Sequence, residues 1–422
     1  MMTPRRGNGR FNVLVRVLSD LSMQIMIRSV LIAVVLLVAL PVSGEPSQRS
    51  PAVSMEDLRA FSDAWGYIKE HYVDEIDDRQ LLEAAIRGML SELDSHSAWL
   101  NSRDLRGVED QASGHYGGLG VRVSVGRDHL KVVDTMSDTP AARAGLERGD
   151  RIVAIDDTGL EESNAHQATD WLRGNPGSRI ALTIERDGQT DAMEISLIRE
   201  LIRRTSLTHE VLPDQLAYIS INQFQQTTPE ELDQALDDIS NRVDRLAGLI
   251  IDLRDNPGGM LNAAVAVADR FLSGQLIVSS EGRSDSQTLE FHAAPGEHLP
   301  GVPIVVLVNQ QSASGSEILA GALQDHGRAI ILGEKTYGKG SIQTIWPLRT
   351  GAGMRLTTAR YYTPSGRRIE ASGIEPDISS PDLSGPLRLS EDGPSEPDDL
   401  INLAMAFLTN AERLTRAGKA SD

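Results

Sequence analysis

The sequence predicts a multi-domain α/β protein: a helical N-terminal segment, an inserted small β domain, and a core built on a mixed α/β sheet. Three observations point there. Apolar residues recur at helical spacing through 54–100, short alternating strands broken by Gly and Asp fill 113–199, and from 216 onward β-branched apolar runs alternate with helical patterns. These changes of texture set boundaries at 1–44, 45–112, 113–200, 201–380 and 381–422. With 422 residues, the chain has material for two or three hydrophobic cores.

Composition narrows the function. The chain is 40% hydrophobic and 24% charged, as an ordinary globular protein is, and a net charge of −19 without any basic stretch argues against nucleic acid as a partner. Cysteine is absent, which removes disulfides, thiolate metal sites and a cysteine nucleophile. No cofactor and no metal are expected. At the amino terminus, Arg5, Arg6, Arg10, Arg16 and Arg28 precede an uncharged run over 29–40, and Pro41-Val-Ser-Gly44 offers small residues for cleavage. About 12 apolar residues are too few for a membrane span and suit a signal peptide. The mature chain is therefore expected to be exported to the periplasm and to begin near Glu45; left uncleaved, the same segment would anchor it at the inner membrane.

Taken in order, the first helical stripe is Leu58, Phe61, Trp65 and Ile68, and a second runs from Leu81 through Ala85, Ile86 and Met89 to Leu93. His96 follows, a lone histidine without ligand-spaced partners, and is given no chemistry. In 113–200 the strands include Val121-Arg-Val-Ser-Val125, Ile152-Val-Ala-Ile155 and Ile180-Ala-Leu-Thr-Ile184, with short helical pieces at 141–144 and 165–172. Gly117-Gly-Leu-Gly120 is a loop of the kind whose N–H groups converge on a carboxylate.

The core begins with a strand at 216–221. Thr228-Pro229-Glu230-Glu231 reads as a capping box with proline at the first helical position, opening a helix over 229–243. A buried strand at 248–253 then turns through Gly258 and Gly259 into a helix at 261–272. A Gly-Gly pair there lets backbone approach a substrate, so its N–H groups are candidate oxyanion donors. The run Ile304-Val-Val-Leu-Val308 is a strand buried on both faces, Ser314-x-x-Glu317 a second capping box, 318–323 helical, and 329–332 another buried strand before the Gly-rich turn 333–340 that carries Lys339. This strand, helix, strand unit places the serines and the lysine at strand C-terminal ends, the edge where open α/β sheets bind ligands. Beyond it, Gln343 faces Lys339 if the segment starts helical, and could then orient its amine. Extended chain follows at 356–362, a hairpin turn at Pro364-Ser-Gly366, an acidic proline-rich linker over 381–399, and a closing helix over 400–414 that folds back or pairs with another subunit.

Three chemistries use such an edge. In one, Ser314 attacks a carbonyl while Lys339 takes its proton. An ordinary lysine has a pKa near ~10.4, so burial must bring it close to neutrality, a change worth about 4 kcal/mol. A phosphate-binding loop, Gly333-x-x-x-x-Gly338-Lys339, fails because Gly340 stands where Ser or Thr is required. A triad through Asp325 and His326 fails because His326 lies about three turns along the helix from Ser314. The plainer alternative, an N-cap serine and a solvated lysine, stays open on these residues alone.

A resemblance bears on that choice. Gly118-Leu-Gly-Val121, Ser137-Asp-Thr-Pro-Ala-Ala142, Ala144-Gly-Leu146 and Gly149-Asp-Arg-Ile-Val-Ala-Ile155 look like a bacterial PDZ domain. With Tyr72-Val-Asp74, Leu93-Asp-x-His-Ser97, Asp252-Leu-Arg-x-Asn-Pro-Gly-Gly259, Ser312-Ala-Ser-Gly-Ser-Glu-Ile318, Gly338-Lys-Gly-Ser-Ile-Gln343 and Tyr361-Tyr-Thr-Pro-Ser-Gly366, the chain resembles the carboxyl-terminal processing peptidases, the serine-lysine family that includes tail-specific proteases. The resemblance implies a serine-lysine protease core with an inserted PDZ domain, and a nucleophile 25 positions before the lysine, which selects Ser314 over Ser312 and Ser316. It carries over Lys339 as base, Gln343 as its orienting partner, Gly258 and Gly315 as oxyanion donors, and Gly118, Leu119 and Gly120 as the loop that takes a peptide's carboxyl end. It implies an exported endopeptidase that processes or degrades envelope proteins with exposed C-termini through an acyl-enzyme, a PDZ domain able to gate the dyad, an activating adaptor protein and a homo-oligomer. A peptide-binding adaptor that has lost activity is the rival reading. Two departures are Ser95, commonly proline in the family, and Gly315, commonly alanine.

Overall fold

The computed structural model describes residues 53–161, 164–284, 288–379 and 399–419. The expected signal segment and nearly all of the linker lie outside them. The chain divides into two compact units, 1–78 and 79–422. In the first, helix α1 (Met55–His71) is capped by Ser54, whose Oγ accepts the Asp57 N–H at 3.0 Å. Its apolar stripe is present as expected, but Leu58, Phe61 and Ile68 are exposed.

The second unit opens with α2 (Asp78–Ser91), β1 (Ala98–Leu100) and α3 (Ser102–Ser113). The β domain follows: β2 (His115–Gly118), β3 (Val121–Val125), β4 (Leu130–Thr135), α4 (Pro140–Arg143), β5 (Arg151–Ile155), β6 (Thr158–Gly159), α5 (Ala165–Trp171), β7 (Arg179–Glu185), β8 (Met193–Ile198) and β9 (Glu200–Arg203). Strands β3, β4, β5, β7 and β8 form one sheet over a core of Leu130, Val132, Ile152, Leu182 and Ile184. The entering strand β2 pairs antiparallel with the leaving strand β9, so the domain is an insertion held at a two-stranded neck.

The remaining elements are β10 (Leu207–Leu212), β11 (Leu216–Ile221), α6 (Thr228–Arg242), β12 (Gly248–Asp252), α7 (Leu261–Asp269), β13 (Leu276–Gly282), β14 (Leu289–His292), β15 (Ile304–Val308), α8 (Gly315–Asp325), β16 (Ala329–Gly333), β17 (Ser341–Pro347), β18 (Gly353–Tyr362), β19 (Ile378–Ser379) and α9 (Asp399–Lys419). The central sheet runs β10-β11-β12-β15-β16-β19, parallel except for β10. Period-two alternation divides its strands: Ile251, Val306 and Ile331 pack with Leu319 and Phe271 on one face, while Ile250 and Val305 meet Leu400, Ala404 and Leu408 of α9 on the other. The closing helix thus folds back on its own sheet. A second sheet, β1-β18-β13-β14 with β17 on β18, stands beside the first.

Two local expectations are corrected. The capping box at α6 does not close, because Glu231 instead accepts the N–H and hydroxyl of Ser206, both at 2.8 Å, and Thr227 takes the N-cap position. The segment after Lys339 is strand β17, not a helix, as its β-branched residues Ile342, Thr344 and Ile345 favour.

Candidate active site

Adjacent parallel strands β12 and β15 release their loops side by side, and hydrogen bonds lace the two together. Ser312 Oγ donates to the Leu253 carbonyl at 2.8 Å, and the Asn256 carbonyl accepts from Ala313 N–H at 3.0 Å and Ser316 Oγ at 2.9 Å. Both flanking serine hydroxyls are therefore committed to backbone. Ser314 lies between them at φ 53° and ψ −109°, a conformation costly for an L-residue by about 1–3 kcal/mol. It borders a cavity of about 610 Å³ together with Lys339, Gly258, Gly259 and Gln343.

Glu317 explains how the serine and the lysine come to share that cavity. Its carboxylate is fully buried. Oε2 accepts the N–H of Ser314 at 2.8 Å and the N–H of Lys339 at 2.9 Å, while Oε1 accepts Thr336 Oγ1 and Gly338 N–H, both at 2.6 Å. One side chain thus ties the start of α8 to the turn after β16. Burial pushes its pKa up, and the four donors pull it back.

Lys339 is half-buried, and its Nζ enters no hydrogen bond or ion pair among the described residues. Burial lowers its pKa and the Arg355 guanidinium lowers it further, against Glu370 and Glu317. That is the direction a general base requires.

Other expected site residues are placed less simply. Gln343 borders the cavity, but on a strand, with Nε2 donating to Ser341 O at 3.2 Å and Ser341 Oγ at 3.0 Å; the helical spacing that was to aim it at Lys339 does not exist. Gly258 approaches Ser314 so closely that a Cβ on it would lie 2.7 Å from the Ser314 Cβ, yet its N–H already donates to Asn256 Oδ1 at 2.8 Å. To serve an oxyanion it must leave that bond. The N–H groups of Gly315 and Gly259 have no acceptor among the described residues, so of the Gly-Gly pair it is Gly259, which the resemblance did not carry over, whose donor is free. A methyl on Gly315 would come 2.9 Å from the Phe224 ring, so Phe224 fills the space and accounts for glycine at this position. His326 caps the far end of α8 and its Nε2 bonds the Leu276 carbonyl, away from the cavity.

In the β domain, the carbonyls of Leu119 and Gly120 accept N–H groups of Ala141 and Met136 at 2.9 and 2.8 Å, while their own buried N–H groups have no acceptor among the described residues. Two adjacent free donors are the arrangement that can receive a carboxylate. Gly118 ends β2 opposite Glu200 and belongs to the neck, and the Leu119 side chain fills the core.

Residues 215–380 match the model of peptidase family S41, 117–197 that of the PDZ domain, and 41–103 that of the activating protease CtpB N-terminal domain. A carboxy-terminal-processing protease of Bartonella bacilliformis is 42% identical over 325 residues, covering 76% of this chain and 75% of that one. The chain belongs to the carboxy-terminal-processing proteases. A relative of that name from Picosynechococcus is 33% identical over 399 residues, covering 87% of this chain and 94% of its own. A photosystem II D1 C-terminal processing protease aligns at 28% identity and a TM-score of 0.46, over 78% of this chain and 95% of that one.

In this processing protease, the S41 match contains Ser314 and Lys339 and the PDZ match contains the Leu119–Gly120 donors. Gly120 has φ +70°, and a Cβ there would lie 2.4 Å from the Thr139 side chain. Gly120→Ala is expected to weaken binding of peptides with a free carboxyl end by about 10-fold, from about 1–2 kcal/mol of backbone strain. Fluorescence anisotropy with free and amidated peptides measures this, and unchanged affinity would remove the loop from the receptor.

Proposed function

We propose that this protein is an exported serine endopeptidase in which Ser314 is the nucleophile and Lys339 the general base. The observation that carries the reading is the shared Glu317 carboxylate, which holds the backbones of both residues at the edge of one cavity. Neutral Lys339 takes the Ser314 hydroxyl proton as Oγ bonds to the scissile carbonyl carbon. N–H groups of the Gly-Gly turn and of Gly315 receive the oxyanion. Collapse breaks the C–N bond, with the Lys339 ammonium giving its proton to the leaving amine. Water then attacks the acyl-enzyme carbonyl, passing its proton to Lys339; collapse breaks the C–Oγ ester bond as the Lys339 ammonium returns that proton to Ser314 Oγ, and the product leaves with a new carboxyl end.

The PDZ domain captures the free C-terminus of an envelope protein and presents the chain to the dyad, and it gates the dyad when empty. An activating adaptor protein works through that gate, and the exposed stripe of Leu58, Phe61 and Ile68 supports a homo-oligomer. The N-terminal segment directs export to the periplasm.

Incubation with an unstructured protein, followed by acid quench and mass spectrometry, tests the reading. Wild type should cleave it and carry a transient acyl group on Ser314, and Ser314→Ala should do neither. Cleavage by Ser314→Ala, or an acyl group on another residue, would reject it.

A further inference from the structure

Among the described residues bordering the catalytic cavity, two are charged, and both are cations: Lys339 and Arg355. This is unusual in a chain of net charge −19. Arg355 lies on β18 opposite Ile345 of β17, which also borders the cavity. Its Nε donates to the His96 carbonyl at 2.9 Å, which fixes one edge of the guanidinium and leaves both Nη groups without a carboxylate among the described residues. Three other guanidiniums of this protein are treated differently. Arg186, Arg254 and Arg270 each grip an aspartate through two nitrogens, namely Asp150, Asp252 and Asp233. A guanidinium is a rigid fork matched to a carboxylate, and a half-buried one without that partner has unused binding capacity.

We propose that Arg355 receives a carboxylate of the peptide lying in the cleft, from an acidic side chain near the scissile bond or from the free end of a short tail. This rests on the reading of the cleft as the place of cleavage. Lys339 does not compete for that group, because it must be neutral when Ser314 attacks. Val108, Met260, Leu261, Ile342 and Ile345 give the wall apolar stretches that suit aliphatic side chains, beside the uncharged polar Gln111, Gln223 and Thr344. Arg355 then sets the register of the peptide on an otherwise undemanding surface.

The test uses quenched peptides in which one Glu or Gln is walked across the cleavage site, each made as free acid and as amide. Cleavage by wild type and Arg355→Gln is measured, and binding is measured in the Ser314→Ala background with and without Arg355→Gln. One position should favour Glu over Gln by about 10-fold or more, or the free acid should be favoured over the amide to that extent. The advantage should vanish with Arg355→Gln and turn toward Lys with Arg355→Glu. The first pattern identifies a side chain and the second a chain end. The PDZ contribution is common to both members of each Glu/Gln comparison; in the acid/amide comparison the PDZ preference for a free end is common to wild type and Arg355→Gln, so only the part lost with Arg355→Gln is read. A Glu/Gln preference that is absent or survives Arg355→Gln, together with an acid/amide ratio that Arg355→Gln leaves unchanged, overturns the proposal. A preference in binding without any cleavage upholds Arg355 and counts against the Ser314–Lys339 reading instead.

Discussion

Lys339→Met is expected to reduce peptide hydrolysis by about 10³- to 10⁴-fold while leaving the fold at least as stable as wild type. Methionine keeps the length and apolar stem of lysine, so the cavity wall is preserved, but its thioether is far too weak a base to take the Ser314 proton. The stability part follows from the depressed pKa. The unfolded chain holds the lysine proton more tightly than the folded one, so burying the ammonium costs stability in full below the folded pKa, and the cost disappears as pH rises toward the ordinary lysine range. At neutral pH, removing the amine removes that penalty. Thermal unfolding and kcat/KM measured on the same preparations check both halves. Lost activity with a marked loss of stability would make Lys339 a structural residue.

Glu317→Gln is expected to cost about 2–5 kcal/mol of stability and most of the activity. The carboxylate accepts from four donors, and a carboxamide has one acceptor oxygen, so two donors are left facing an NH₂ group. Whichever way the amide turns, either Ser314 and Lys339 lose their common anchor or Thr336 and Gly338 lose theirs. Assayed at a temperature where the variant stays folded, kcat should fall with little change in KM, because PDZ capture is untouched. Full kcat would show that the clamp does not position the dyad.

The strand, helix, strand core was legible because its signals are local. The β-branched runs at 304–308 and 329–333 and the apolar stripe of α8 needed no tertiary information, and the glycine loop of the β domain announced its donors in the same way. Contacts between elements were less so. Ser314-x-x-Glu317 marked Glu317 as a cap, but nothing in that spacing reveals that its other oxygen reaches Thr336 and Gly338, some 20 residues on. Glu231 was drawn from its cap to Ser206 by packing of α6 near β10. Arg355 enters the cavity only through the pairing of β17 with β18. The misreading of Gln343 had a local remedy: Ile342, Thr344 and Ile345 already favoured a strand.

The account turns on Ser314 being activated by a neutral, dehydrated Lys339. The most direct measurement is the rate at which a fluorophosphonate modifies Ser314 as a function of pH, read by mass spectrometry of the labelled peptide. The predicted rate rises with pH to a midpoint well below the ordinary lysine pKa near ~10.4, and that rise is absent in Lys339→Met. A label on another residue, or an unchanged profile in Lys339→Met, would contradict it.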